Sequence, residues 1–246
     1  MRLVALGASN LTRGLHAVVS LSRQTWGPEA RLLAALGHGR SYGVTSRFLV
    51  RSLPGILDCG LWRALERHGP EPTRALVTDV GNDVLYGYPP EQVLGWVETC
   101  VDRLQAVTGE IAITDLPIAG IRRLKPARFV FFRTLFVPSC RLSLATVLER
   151  SERVSDGLVD MACRRSLRLV RLRPEWYGFD PIHIRPSLWW SAWHEILGIP
   201  SRPEEPRRAS PLQALRLYLA APERMRLLGV ERRRPQPAPG STLELY

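Results

Sequence analysis

Residues 3–10 read LVALGASN. Four apolar residues run into a glycine, a small residue, a serine and an amide. A short apolar run that stops at glycine and a cap-forming residue is how a buried strand hands over to a helix. Two readings of Ser9 follow. Ser9 or Asn10 caps a helix that starts near Leu11, or Ser9 is a nucleophile held where the strand ends.

Similar runs recur along the chain, at 2–6 (RLVAL), 31–36 (RLLAAL), 74–80 (RALVTDV), 110–116 (EIAITDL) and 167–172 (LRLVRL). Near-continuous apolar runs of this length suit strands covered by helices on both faces. Segments of helical period lie between them. In 89–109, Pro90 and Glu91 suit a first turn, Val93, Val97, Val101 and Leu104 form one stripe, and Gly109 suits the stop. Further helices are expected at about 11–24, 45–52, 143–165 and 187–197. Alternating β and α segments predict an α/β fold, a three-layer α/β/α, doubly wound sheet of about five parallel strands.

The chain has 246 residues and 45% hydrophobic content, enough to bury one sizeable core. One main domain over 1–199 is expected, followed by a Pro/Arg-rich extension over 200–246. That extension reads as Pro-rich stretches at 200–211 and 232–241 around one amphipathic helical segment. Cys59, Cys100, Cys140 and Cys163 lie far apart, with no CxxC pair, so neither a zinc site nor a disulfide framework is indicated, and reduced thiols in a cytoplasm fit best. Only LVAL separates Arg2 from Gly7, too little for a signal peptide. The apolar stretch 129–140 contains Arg133 and Pro138 and falls short of the ~20 residues a membrane span needs. The net charge is +11, but Lys125 is the one lysine among 34 basic residues, and the arginines are scattered. That skew fits a GC-rich bacterial genome, and a solvated basic surface is expected, with no specific nucleic-acid partner. The oligomeric state is not indicated.

In an open parallel sheet ligands bind at the carboxyl ends of the strands, so the polar residues after each run decide function. They are Ser9 and Asn10 after the first, GHGRSYG (37–43) after the second, GND (81–83) after the third, and Asp180 and His183 after the last. These are the groups acyl transfer requires. A serine hydroxyl needs a base, an imidazole needs a carboxylate to fix its tautomer, and a developing oxyanion needs donors already aimed at it. Each motif alone has a plainer reading: GASN as a cap, GND and DPIH as turns. A nucleotide-binding turn is disfavoured, because G-x-G-x-x-G is absent and no acid ends the second strand.

The four motifs GASN, GHGRSYG, VGND and DPIH, in this order, resemble the serine, glycine, Asn-Asp and Asp-x-x-His blocks of the SGNH/GDSL-type hydrolases, over about residues 1–198. The resemblance implies a flavodoxin-like sheet and a serine hydrolase acting on a carboxylic ester or O-acetyl group through an acyl-enzyme. The triad falls on Ser9, Asp180 and His183. The oxyanion hole falls on Ser9, Gly43 and Asn82, with Gly39 as second choice to Gly43. Asn10, Gly39 and Asp83 are expected to contact substrate, a small ester or acylated molecule. No metal or organic cofactor is implied. An acyltransferase and a catalytically silent binding domain of the same fold are the alternatives. Two positions depart from the family pattern: Ala8 stands where an acid usually precedes the serine, and Val80 where a glycine usually stands two before the asparagine.

The segment 117–142 is long and aromatic for a connection. Phe129, Phe131, Phe132 and Phe136 line an acyl pocket, form a flap, or are one buried helix face. Trp189, Trp190 and Trp193 are expected to be mostly structural, and His16, His68 and His194 to be structural or surface residues, whereas His38, inside the glycine block, is placed beside the site without a catalytic role.

Overall fold

Leu3 and Ala5 of the first strand belong to one apolar cluster and Val4 and Leu6 to another, and all four are buried. That alternation needs a helical layer on each face of the sheet, and a computed structural model supplies both. It describes residues 1–200, 210–220, 222–233 and 241–246. The chain begins β1 (Arg2–Leu6), α1 (Ser9–Trp26), β2 (Arg31–Ala35), β3 (Ser46–Phe48), β4 (Arg51–Leu53), α2 (Leu61–His68) and β5 (Thr73–Val77). It continues α3 (Asn82–Leu85), α4 (Pro90–Gln105), β6 (Ile111–Thr114), α5 (Ile118–Arg122), α6 (Pro126–Phe136), α7 (Leu144–Arg164), β7 (Arg168–Val170) and α8 (Trp189–Ile196). The last elements are α9 (Pro211–Tyr218), β8 (Arg224–Leu227), β9 (Val230–Arg233) and β10 (Leu243–Leu245).

The main sheet has the order β10-β2-β1-β5-β6-β7, with every pairing parallel. Helices α1 and α8 cover one face, and α2, α4 and α7 the other. In β1, Leu6 stands opposite Ala35 of β2 and Val77 of β5, so the polar residues after these three strands emerge at one edge. This is the expected three-layer α/β/α fold, with six strands where about five were expected.

The sixth strand, β10, pairs with β2 in the register Leu243↔Leu32 to Leu245↔Ala34. Its Glu244 is buried, forms an ion pair with Arg31 (3.3 Å) and lies 2.9 Å from His68 Nε2. The segment expected as a helix at 45–52 is instead the β3–β4 hairpin, turning at Leu49 and Val50 with Leu49 at φ +54°. It is held in a strand form because β4 pairs with β8, and β8 with β9, in a second sheet of order β3-β4-β8-β9. Of the amphipathic stretch expected in the extension, Pro211–Tyr218 is helical, and 224–233 forms the β8–β9 hairpin. The Pro-rich stretches at 200–211 and 232–241 lie mostly outside the described residues. Among the described residues no helix is long and apolar enough to cross a membrane.

Where α1 crosses α8, Gly14 faces the fully buried Trp193, and a Cβ on Gly14 would fall 1.8 Å from the indole Nε1. Gly95 of α4 has nothing within 4 Å of such a Cβ. Gly14→Ala should therefore destabilise the protein by about 1–3 kcal/mol through overpacking. Gly95→Ala should stabilise it by about 0.5–1 kcal/mol by restricting the unfolded chain. Urea unfolding of the two variants measures both, and like signs would contradict this packing.

Candidate active site

Helix α1 begins without a cap of its own: Ala8, at the cap position, carries no side-chain acceptor. The acceptor comes from beyond the end of β5, where Asp79 Oδ2 takes the N–H groups of Ala8 (2.9 Å) and Leu11 (3.1 Å). Asp79 holds this position with φ +60°, a left-handed conformation that aspartate tolerates better than most residues. Because the turn is capped from outside, Ser9 is released from that duty. Its hydroxyl lies 2.9 Å from His183 Nε2.

The His183 imidazole is fixed on its other side. Its Nδ1 lies 2.6 Å from Asp180 Oδ2, and Asp180 Oδ1 accepts the N–H groups of Ile182 (3.1 Å) and His183 (3.2 Å). With a carboxylate accepting at Nδ1, the ring proton sits there and Nε2 is left to accept from the Ser9 hydroxyl. The Phe136 ring stands edge-on to the imidazole at 5.1 Å.

Asn10, expected at the substrate, holds this loop instead. Its Nδ2 donates to Asp79 Oδ1 (2.8 Å) and to the Ile182 carbonyl (2.9 Å), and its Oδ1 accepts the Ile184 N–H (2.8 Å). Asn10 lines the cavity beside Ser9, but both ends of its amide are already engaged. Asp83 also departs from expectation. It is fully buried, and its Oδ2 accepts the Tyr42 N–H at 2.9 Å, so it anchors the loop after β2 and does not face substrate.

That loop contains both candidate glycines. The Gly43 N–H donates to Ser41 Oγ at 3.1 Å, and a Cβ there would overlap the Trp96 ring at 2.0 Å. Gly43 is thus a packing glycine, and its amide is already engaged elsewhere. Gly39 is the glycine that shares a cleft wall with Ser9, Asn82 and His183. It requires glycine twice over: its φ is +63°, and a Cβ would sit 2.7 Å from the Tyr86 hydroxyl. Asn82, the first residue of α3, points Nδ2 toward the Arg40 carbonyl at 3.3 Å. Residues not singled out in the sequence fix the loop in place. The Tyr86 hydroxyl donates to the Gly39 carbonyl, the Tyr42 hydroxyl to the carbonyls of Thr78 (2.6 Å) and Leu6 (3.2 Å), and buried Arg40 to those of Pro54 (3.1 Å), Leu36 (3.1 Å) and Tyr246.

No family model matches the chain, and no curated protein matches it. Solved structures do match. A carbohydrate acetylesterase family member from Sinorhizobium meliloti superposes with a TM-score of 0.53 at 16% identity, over 79% of this chain and 95% of that one. A lipolytic protein of the G-D-S-L family from Veillonella parvula is 11% identical over 82% of this chain and 100% of that one, with a TM-score of 0.49. The chain shares its three-layer α/β/α fold with that acetylesterase family member. Within this fold, Ser9, Asn82, Asp180 and His183 meet at the carboxyl edge of β1 and β5, together with Gly39.

Burial would raise the Asp180 carboxyl, but the hydrogen bond and charge of His183, the Ile182 N–H and Arg13 outweigh it and hold the group below the usual range. Arg13 stands 3.9 Å from Asp180 Oδ2. His38, in the same cleft, is pushed down to about 4 by burial and by the charges of Arg13, His183 and Arg51, so it is neutral at pH 7. Among the described residues no group of three or more His, Cys, Asp or Glu is placed to hold a metal ion.

Burial pushes Asp83 up to about 6. A raised carboxyl pKa means the fold favours the neutral form, so the cost of ionisation is full above about pH 6 and relieved below the unfolded value near 4. Asp83→Asn keeps the acceptor for Tyr42 without the charge. In urea unfolding, the stability of wild type relative to Asp83→Asn should rise by about 2 kcal/mol between pH 7 and pH 4. A difference independent of pH would show that Asp83 ionises without cost.

Proposed function

We propose that this protein is a serine hydrolase that cleaves a small carboxylic ester through an acyl-enzyme. The observation that carries the reading is the unbroken relay from Ser9 Oγ to His183 Nε2 (2.9 Å) and from His183 Nδ1 to Asp180 (2.6 Å). A hydroxyl is a weak nucleophile until a base removes its proton, and this imidazole is oriented to do so. Asp180 fixes the tautomer and stabilises the imidazolium as it forms.

In the first half-reaction His183 Nε2 takes the Ser9 proton while Oγ adds to the ester carbonyl. The carbonyl oxygen becomes an oxyanion, received by the Ser9 N–H, the Gly39 N–H and Asn82 Nδ2. The Ser9 amide opens α1, so the helix dipole also favours negative charge there. His183 returns its proton to the leaving alcohol as the C–O bond breaks. Water, deprotonated by the same nitrogen, then attacks the acyl-serine and releases the acid. The scheme needs no metal and no organic cofactor.

A fluorophosphonate should label wild type at one site and fail to label Ser9→Ala; labelling that persists in the variant would overturn the assignment. Asn82→Ala should lower kcat by about 10²–10³ with little change in thermal stability, as expected for loss of one oxyanion donor. An unchanged kcat would remove Asn82 from the scheme.

A further inference from the structure

Two hollows open on Ser9, and they differ in chemistry. The smaller, about 30 Å³, includes His183, Arg13, His38 and Gly39 in its wall. The larger, about 100 Å³, runs from Ser9 and Asn82 past the ends of β5 and β6 to Val147 of α7, roofed by α5 and α6. Its wall is mainly apolar and includes Leu85, Leu116, Ile121, Leu124, Phe132 and Phe136. The three charged residues in that wall are turned to other groups: Asp79 to the α1 turn, Asp115 to the Leu172 N–H (2.7 Å), and Arg133 to the Leu142 carbonyl (3.0 Å).

The direction of the reaction assigns the two hollows. The base that takes the Ser9 proton must give it to the leaving oxygen, so the alcohol part lies beside His183. His183 is in the wall of the smaller hollow and not of the larger. The acyl part then faces the apolar cavity under α6. Building on the proposed hydrolysis, we infer that the substrate is an ester of a short aliphatic acid, about four to six carbons long, whose chain fills the cavity beneath α5 and α6.

The length follows from volume. An apolar cavity of about 150 Å³ lined by Leu, Ile and Phe stays dry and accepts the six carbons of benzene. A cavity of about 100 Å³ accepts about four carbons, to which the carbonyl carbon at Ser9 is added. An acetyl group would leave most of this space unfilled, and a chain of ten carbons would not fit without moving the roof. Leu124, half-buried between α5 and α6, is a specificity-determining residue on this reading.

The test is a series of p-nitrophenyl esters from acetate to dodecanoate. Each methylene buried in an apolar pocket is worth a factor of about four in kcat/KM. Butyrate should exceed acetate by about tenfold or more, with the maximum at four to six carbons and a fall beyond. Leu124→Trp, which fills the cavity, should lower the hexanoate-to-acetate ratio by tenfold or more, with folding checked by its thermal midpoint. Should that variant not fold, the wild-type profile decides alone. Acetate as the best ester, or a maximum at ten carbons or beyond, overturns the inference while fluorophosphonate labelling of Ser9 upholds the hydrolase. Absence of both turnover and labelling removes the hydrolase reading and this inference with it.

Discussion

The Asp79 carboxylate is the contact on which the site depends. One oxygen caps α1 through the Ala8 and Leu11 amides, and the other takes the Asn10 side chain. Asn10 in turn grips Ile182 and Ile184 on either side of His183. Three pieces of chain far apart in sequence, the turn after β1, the end of β5 and the 180–184 loop, are thereby joined through one carboxylate. Its left-handed backbone costs about 1–2 kcal/mol, which the capping interactions offset. Ala8 can lack an acid because the acid arrives from the neighbouring strand. Ser9 is free to face His183 for the same reason.

A second set of ties fixes the opposite wall. The loop after β2 is drawn inward by Tyr42, whose hydroxyl reaches the carbonyls that end β1 and β5, and by Asp83 and Tyr86 on either end of α3. Arg40 passes beneath the loop to the carbonyl of Tyr246, so the last strand of the sheet bears on the geometry of Gly39. A loop held this way is rigid, which is the condition the proposed oxyanion site requires of its donors. The buried Asp83 is the cost of that rigidity.

The polar residues that meet at the strand ends are legible in the sequence, while what holds them there is not. The runs behind β1, β2, β5, β6 and β7 are apolar on both faces and stand out by composition. Ser9, Asn82, Asp180 and His183 stand out because each follows such a run and carries a reactive group. Asp79 does not, because it sits in TDVGND beside more conspicuous residues, and the apolar pattern continues to Val80 although the strand ends at Val77. What distinguishes Gly43 from Gly39 is Trp96, more than fifty residues on, whose ring occupies the space at Gly43. The β3–β4 hairpin is not legible locally, because its partner, β8, lies in the extension, and local periodicity cannot register a pairing across such a distance.

Two carboxylates lie close to Ser9, and their partners divide the work between them. Among the described residues Asp79 meets amides: two backbone N–H groups and one side chain, none of which can take or release a proton in the working range. Asp180 meets the one titratable ring in contact with the serine, and its second oxygen is held by the backbone of its own turn. The first can therefore act only through geometry, by placing the α1 amides and Asn10. The second can respond to charge on His183, and its carboxyl is held low by that same ring. Exchanging the two environments would leave a well-capped serine with an imidazole of undefined tautomer. The order of the strands prevents this, because β5 lies beside β1 while the Asp180 loop must cross from beyond β7 to reach it.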